Sequence, residues 1–187
     1  MVLPVYGYGH PILRKISTDI TPDHKDLDKL ISDMFETMYD SNGVGLAAPQ
    51  VGLNIRLFII DATPYAEEVG DAYPLKAVFI NPHVVGEDGE EWSFEEGCLS
   101  IPDIREEVER PERVTLRFCN EKFEEFEKTF DGMMARIIQH EYDHLEGIMF
   151  VDHVSNLRKM LLRKRLNDIV TGRINPGYRM KYANPGK

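Results

Sequence analysis

Cysteine is scarce in this chain. Cys98 and Cys119 are the only two among 187 residues. That count excludes a disulfide-stapled secreted scaffold and leaves each thiol to be read as a packed side chain or a metal ligand. Long apolar runs are missing too: none approaches the ~20 residues that a membrane-spanning helix needs. The first residues, Met1-Val2-Leu3-Pro4-Val5-Tyr6-Gly7, have neither the basic start nor the extended apolar core of a secretion signal. The expectation is a cytoplasmic protein without a membrane partner. An excess of positive charge is also lacking. The net charge of −10 speaks against DNA or general nucleic-acid binding. No internal repeat or low-complexity segment is visible. With 42% hydrophobic and 29% charged residues, the composition is that of an ordinary globular protein, and the length suits one domain with a sizeable core.

The charge is unevenly spread. From Asn156 to Lys187, nine Lys and Arg face one acid, Asp168, so this stretch carries +8 and the remainder −18. An acidic body with a basic tail points to an anionic partner for the tail.

Residues 23–41 read as an amphipathic helix, since Leu27, Leu30, Ile31, Met34, Phe35 and Met38 follow the 3.6 period and Asn42-Gly43 stops it. Residues 56–60 and 76–80 are strand-like, and 61–75, with two prolines and a glycine, reads as a surface loop. Further strands are expected at 90–94, 104–109 and 113–119; 121–130 fits strand or turn. Asp131 is a candidate N-cap for a helix over 132–146, closed by Gly147. A last helix is expected over 155–170, with Leu161, Leu162, Leu166 and Ile169 near one side, and Asn175-Pro176-Gly177 should end regular structure. The pattern is α+β.

The helix over 132–146 carries His140-Glu141-Tyr142-Asp143-His144. Two imidazoles at i and i+4 share a helix face and can reach one metal ion, while the glutamate between them can reach a water on that ion. A catalytic site of this kind needs a third protein ligand. No glutamate occurs after Gly147, and Phe150 stands where a third histidine would complete an extended H-E-x-x-H pattern, so the common downstream solutions fail. Asp152 and His153 lie beyond the helix stop and read as solvated polar residues. Upstream, Glu96-Gly97-Cys98-Leu99-Ser100 offers a thiolate beside a glycine, and Cys98 is a better candidate than Cys119, which sits in an alternating strand pattern. Gly43–Gln50 is a second small-residue segment. Gln50 carries an amide donor suited to an oxyanion, although a plain helix-to-strand connection explains the segment as well.

Taken together, Gly43–Gln50 (GVGLAAPQ), Glu96–Ser100 (EGCLS, continuing as Ile101-Pro102) and Gln139–His144 (QHEYDH) closely resemble the three signature motifs of the peptide deformylases, in their order and spacing. The resemblance covers nearly the whole chain, strongest over 1–150. It implies the fold of that family, with short, mostly antiparallel strands around a central metal-binding helix and helices at both ends. It implies removal of the formyl group from the formylmethionine of newly made polypeptides, with release of formate. One divalent ion per chain would be held by Cys98, His140 and His144, with water at the fourth position; Fe2+ is the family's usual ion, and Zn2+ or Ni2+ can replace it. Glu141 would act as general base and acid, while Gln50 and the Leu99 N–H would stabilise the oxyanion. Val44, Gly45 and Gly97 would pair with the peptide backbone, and Val44, Met133, Ile137 and His140 would wall the methionine pocket. Residues 1–150 would form the catalytic part and 151–187 a C-terminal helix and basic tail of the same domain. In some deformylases the C-terminal helix docks on the ribosome, which the +8 tail would suit. The competing readings are an H-E-x-x-H metallopeptidase, a non-catalytic ribosome-associated metal-binding protein, and a hydrolase with Cys98 as nucleophile.

Overall fold

In chain order the elements are β1 (Val5–Tyr6), α1 (Leu27–Asp40), β2 (Gly45–Ala47), β3 (Leu57–Asp61), a short α2 (Ala66–Val69), β4 (Lys76–Cys98), β5 (Ile101–Cys119), β6 (Glu125–Asp131), α3 (Gly132–Leu145), α4 (Asn156–Val170) and β7 (Met180–Lys181). This computed structural model describes residues 1–186; Lys187, the last basic residue of the tail, lies outside the described residues. Strands β2-β3-β4-β5-β6 form one antiparallel sheet in that order. The α+β class read from the sequence is what the chain forms.

The strands differ in length from the expectation. The short runs foreseen between 76 and 119 merge into β4, of 23 residues, and β5, of 19, paired along most of their lengths. The side chains of 87–91 are all exposed, so this stretch carries no apolar signal. It is strand because β5 pairs with its backbone, and such pairing overrides local propensity. Register shifts between Ile80 and His83, Val84 and Gly86, and Asp88 and Glu91 punctuate the ribbon; such irregularities bend a strand pair. The ambiguous 121–130 segment becomes a turn, where the Phe123 N–H donates to the Asn120 carbonyl at 2.9 Å, followed by β6. The 61–75 segment is more than a surface loop: it holds α2, buries Val69, and packs Tyr65, Tyr73 and Leu75 on the core.

Helix α1 begins at Leu27 rather than 23, since Asp26 takes a left-handed conformation (φ 56°) that a helix cannot include. Its apolar stripe packs on β2 and β3. Helix α3 is different: ten of its fourteen residues are buried, including Arg136, Gln139, Glu141 and His144. A helix buried on nearly all sides runs through the middle of a fold rather than over it. On one flank it meets a cluster in which Phe79 stacks on Phe58 and lies tilted against Phe118, centroids 4.6 Å apart in both cases. Each such ring contributes roughly 1.5–3 kcal/mol through burial. The helix stops at Gly147, which has φ 72° and lies so close to Arg14 that an added Cβ would stand 2.8 Å from its carbonyl.

Helix α4 starts at the Ser155 cap, whose hydroxyl accepts from the Arg158 N–H. Leu162, Leu166 and Ile169 are its buried stripe. Leu161, grouped with them from the sequence, is 63% exposed, because one residue's rotation of about 100° carries it off the stripe. Regular structure does not end at 175–177. The chain turns there and returns as β7 to pair in parallel with β1. A two-residue strand is too short to leave a periodic trace in sequence.

Candidate metal centre and active site

Strands β4 and β5 form a hairpin that reverses at Leu99-Ser100, with Cys98 opposite Ile101. The reversal delivers Cys98 to the face of α3 that carries His140 and His144. Those two rings stand edge to face with centroids 5.2 Å apart. The Cys98 Sγ lies 3.3 Å from His144 Nε2, and one ligand atom from each of Cys98, His140 and His144 falls within 4.8 Å of the others. Asp152 and His153 are elsewhere: Asp152 accepts from Arg14 and from the Met149 N–H at 2.8 Å, while His153 pairs with Asp143 at 2.7 Å.

A buried ion-pair network stands behind the three donors. His140 Nδ1 is 2.8 Å from Glu96 Oε2, which leaves its Nε2 for the centre. Glu96 also accepts from Arg110 Nε (2.7 Å) and Nη2 (3.0 Å) and from Arg136 Nη1 (3.0 Å). Arg110 continues to Asp143 at 2.8 Å. The Arg136 guanidinium lies 4.3 Å over the Trp92 ring. Burial opposes ionisation of Glu96, but His140 and Arg110 overcome it and hold the carboxyl well below the usual carboxylate range. Burial likewise opposes a Cys98 thiolate, yet the electrostatic pull of His144 and the hydrogen bond from His140 bring the thiol down to about 5. Burial disfavours a charged His140, and contacts to Cys98 and Glu96 outweigh it, raising its pKa well above the usual value.

These residues fit a divalent ion. One ready thiolate and two imidazoles are a donor set for a borderline-soft metal, with three protein ligands and room for a fourth. The buried Glu141 Oε2 has no hydrogen-bond partner among the described residues, as expected of a carboxylate that faces a bound ligand. Glu96→Gln keeps the shape and an acceptor but removes the charge that orients His140. Its expected result is a 10–100-fold weaker metal affinity, read by competition with a chromogenic chelator; unchanged affinity would assign Glu96 to folding alone.

Glu141 is 4% exposed, and burial, partly offset by His140 and His144, pushes its carboxyl up to about 7. Its carboxylate lies across β2: a Cβ built on Gly45 would stand 2.3 Å from Glu141 Oε1 and 2.6 Å from its Cδ. Gly45 is therefore glycine because the carboxylate takes the space of a side chain. Gln50, in a 3-10 turn over Ala48–Val51, accepts from the Ala47 N–H through Oε1 at 2.8 Å. That bond turns its NH2 toward Cys98 Sγ (3.4 Å) and Ser100 Oγ (3.3 Å).

A cleft of about 710 Å³ opens over this cluster, lined by Val44, Gly45, Gly97, Leu99, Met133 and Ile137 together with Gln50, Cys98, His140 and Glu141. Every residue assigned to the site from the sequence except His144, which is buried beneath, borders it. Strand β2 is the edge of its sheet, so one side of its backbone is open to an added strand. Sequence reasoning missed Arg110, Arg136, Asp143 and Tyr178. Arg110 left a trace, since it continues the inward register of Ile104, Glu106 and Val108 along β5. Pro176 and Tyr178, which also line the cleft, left none.

The sequence matches the family model described as polypeptide deformylase over residues 2–160. The peptide deformylase of Flavobacterium johnsoniae is 53% identical over 98% of this chain and 97% of its own length. Among solved structures, a peptide deformylase from Legionella pneumophila superposes with a TM-score of 0.78 at 40% identity, over 90% of this chain and 95% of that one. A class I type b peptide deformylase from Acinetobacter baumannii, bound to Met-Ala-Ser, gives a TM-score of 0.75 at 38% identity, over 82% of this chain and 99% of that one.

Proposed function

The chain belongs to the polypeptide deformylase family, and from that premise we propose how its residues perform the reaction. It is a metal-dependent hydrolase that removes the N-terminal formyl group from newly made polypeptides. Neither a metallopeptidase nor a non-catalytic binding protein finds support among its relatives.

Cys98, His140 and His144 would hold the ion, which supplies Lewis acidity that polarises a carbonyl and lowers the pKa of water. Glu141 takes a proton from the attacking water and passes it to the leaving amine. The Gln50 NH2 and the Leu99 N–H receive the oxyanion that forms on the formyl oxygen as water adds to the formyl carbon. Val44, Gly45 and Gly97 align the peptide as an extra strand on the β2 edge. Met133 and Ile137 take the methionine side chain with Val44 and His140. The observation that carries this reading is the buried Glu141 carboxylate, whose Oε2 has no hydrogen-bond partner among the described residues, beside a cluster of one thiolate and two imidazoles.

For the ion we propose Fe2+ in the cell, with Zn2+ or Ni2+ able to occupy the same donors. We further propose a cytoplasmic location, where formylated chains are made, and a division into a catalytic part over 1–150 and a C-terminal helix and tail over 151–187 within one domain. In the described residues no helix is long and apolar enough to cross a membrane. Ribosome docking by the tail has narrow support. Arg158 is paired with Glu106, Lys159 with the Asp152 carbonyl and Arg165 with the Asp103 carbonyl, so on α4 the charges left for it are Arg163 and Lys164, beside exposed Leu157, Met160 and Leu161. Salt-sensitive ribosome co-sedimentation that survives deletion of 171–187 together with removal of the Arg163, Lys164 and Arg165 charges removes that idea.

The test of the main reading is anaerobic purification, metal analysis and parallel assays on formyl-Met-Ala-Ser and acetyl-Met-Ala-Ser. About one metal per chain and a preference for formyl of at least ~10²-fold are expected, since a wall fitted to the smaller group rejects the extra methyl. Equal rates on the two peptides or cleavage of internal bonds would overturn it. Activity that survives chelation would return Cys98 to the role of nucleophile.

A further inference from the structure

Tyr178 belongs to the tail, yet it holds the loop that follows Cys98. Its hydroxyl donates to the Leu99 carbonyl at 2.6 Å, and its half-buried ring borders the cleft. The tail is anchored where it does this. β7 pairs with β1, and the N–H groups of Val5 and Gly7 donate to the carbonyls of Arg179 and Lys181 at 2.8 and 2.9 Å. The N-terminal segment grips the same loop one residue further on, where the Tyr8 N–H donates to the Ser100 carbonyl at 2.8 Å. Two successive carbonyls at the tip of the β4–β5 hairpin are thus captured, one by the tail and one by the segment that the tail pairs with.

We propose that Tyr178 is a positioning residue for deformylation: by fixing the Leu99 carbonyl it fixes Leu99 as a whole, and so aims its N–H at the oxyanion. The proposal rests on the assignment of Leu99 as an oxyanion donor. Leu99 stands at the hairpin reversal, two residues after Gly97, where no ladder partner fixes the backbone unless both sides of the turn are held. An oxyanion donor acts through preorganisation, and a displacement of about 1 Å can lose on the order of 10²-fold in rate. The family match ends at residue 160, so this hold is supplied by a segment outside the matched region. No sequence pattern points to it, because a tyrosine between a Pro-Gly turn and a two-residue strand has no periodicity to belong to.

The test is Tyr178→Phe, which removes one oxygen and keeps the ring that lines the cleft. Wild type and variant, with equal metal content, are compared on formyl-Met-Ala-Ser, by thermal melting and by hydrogen exchange of peptides covering 97–101. The expected result is a kcat about tenfold lower, a KM within about twofold, and exchange of 97–101 several-fold faster. A melting temperature within about 4 °C of wild type is expected for the loss of one half-exposed hydrogen bond. Unchanged kcat overturns the proposal, and so does a lower kcat without faster exchange in 97–101. Either result leaves the deformylase reading intact, provided the wild type is active. A wild type that does not deformylate removes both together.

Discussion

Glu141→Ala is expected to lower kcat/KM for a formylated peptide by on the order of 10³-fold while leaving the metal content unchanged. The two halves of this outcome come from separate observations. The carboxylate is not one of the three clustered donors, so its removal leaves the ion's ligands in place. It is buried beside them, and its Oε2 has no hydrogen-bond partner among the described residues, so it is free to take the proton. The pH profile supplies a second readout. Burial, against the opposing pull of His140 and His144, puts the Glu141 carboxyl at about 7 before any cation is added, and a bound cation lowers it further. A base works only when ionised, so kcat/KM should fall as pH drops through the carboxyl's pKa, with a midpoint below about 7. In Glu141→Ala this acid limb should vanish from the residual rate. Near wild-type activity in the variant would end the assignment of Glu141 as the base, whatever the metal content.

Gly45→Ala should be nearly as damaging, although it adds one carbon to a residue with no chemistry of its own. The new Cβ would stand 2.3 Å from Glu141 Oε1 and 2.8 Å from its Cγ, too near for either to stay. The glutamate is on the buried face of α3 and β2 is paired to β3, so the carboxylate must turn or the strand must move. A turned carboxylate loses its line to the reacting water. A kcat about 10²-fold lower is expected, with a stability loss of roughly 1–3 kcal/mol from overpacking and the metal retained. The comparison with Gly97→Ala is informative. There the nearest atom to a new Cβ is the flexible Arg105 side chain at 3.4 Å, so a much smaller effect is expected. Equal activity of Gly45→Ala and wild type, measured as kcat at saturating peptide, would show that the carboxylate has room that the geometry denies it.

How far the sequence reveals this protein depends on whether a signal is local. His140 and His144 are one turn apart on a helix with a cap signal before it and Gly147 after it, so their juxtaposition follows from helix geometry alone. Cys98 lies 42 positions before His140, and it becomes a candidate ligand only by exclusion of downstream donors and then by resemblance to a family; the hairpin that brings them together depends on 87–91, an exposed stretch. The network behind His140 was invisible for a related reason. Glu96, Arg110, Arg136 and Asp143 come from β4, β5 and α3, and each looks like an ordinary surface charge until the sheet closes over α3. Arg110 alone was readable, by its place in the inward register of β5. For the tail, counting charge treats every lysine and arginine as free, whereas Arg158, Lys159 and Arg165 are engaged by Glu106 and by backbone carbonyls.

The pairing of β1 with β7 also bears on the order in which the protein becomes complete during synthesis. Strand β1 is made well before β7, and Val5 meets Met180 only after all the chain between them exists. Contacts so distant in sequence close late, because the loop they shut is the longest available. A chain stopped just after Val170 would already contain Cys98, His140, His144 and Glu141, and the sheet and helices that assemble them. It would lack Pro176 and Tyr178, and with them one wall of the cleft. Such a chain is expected to bind metal before it has a finished peptide site, so metal loading and full activity are separate steps in its maturation.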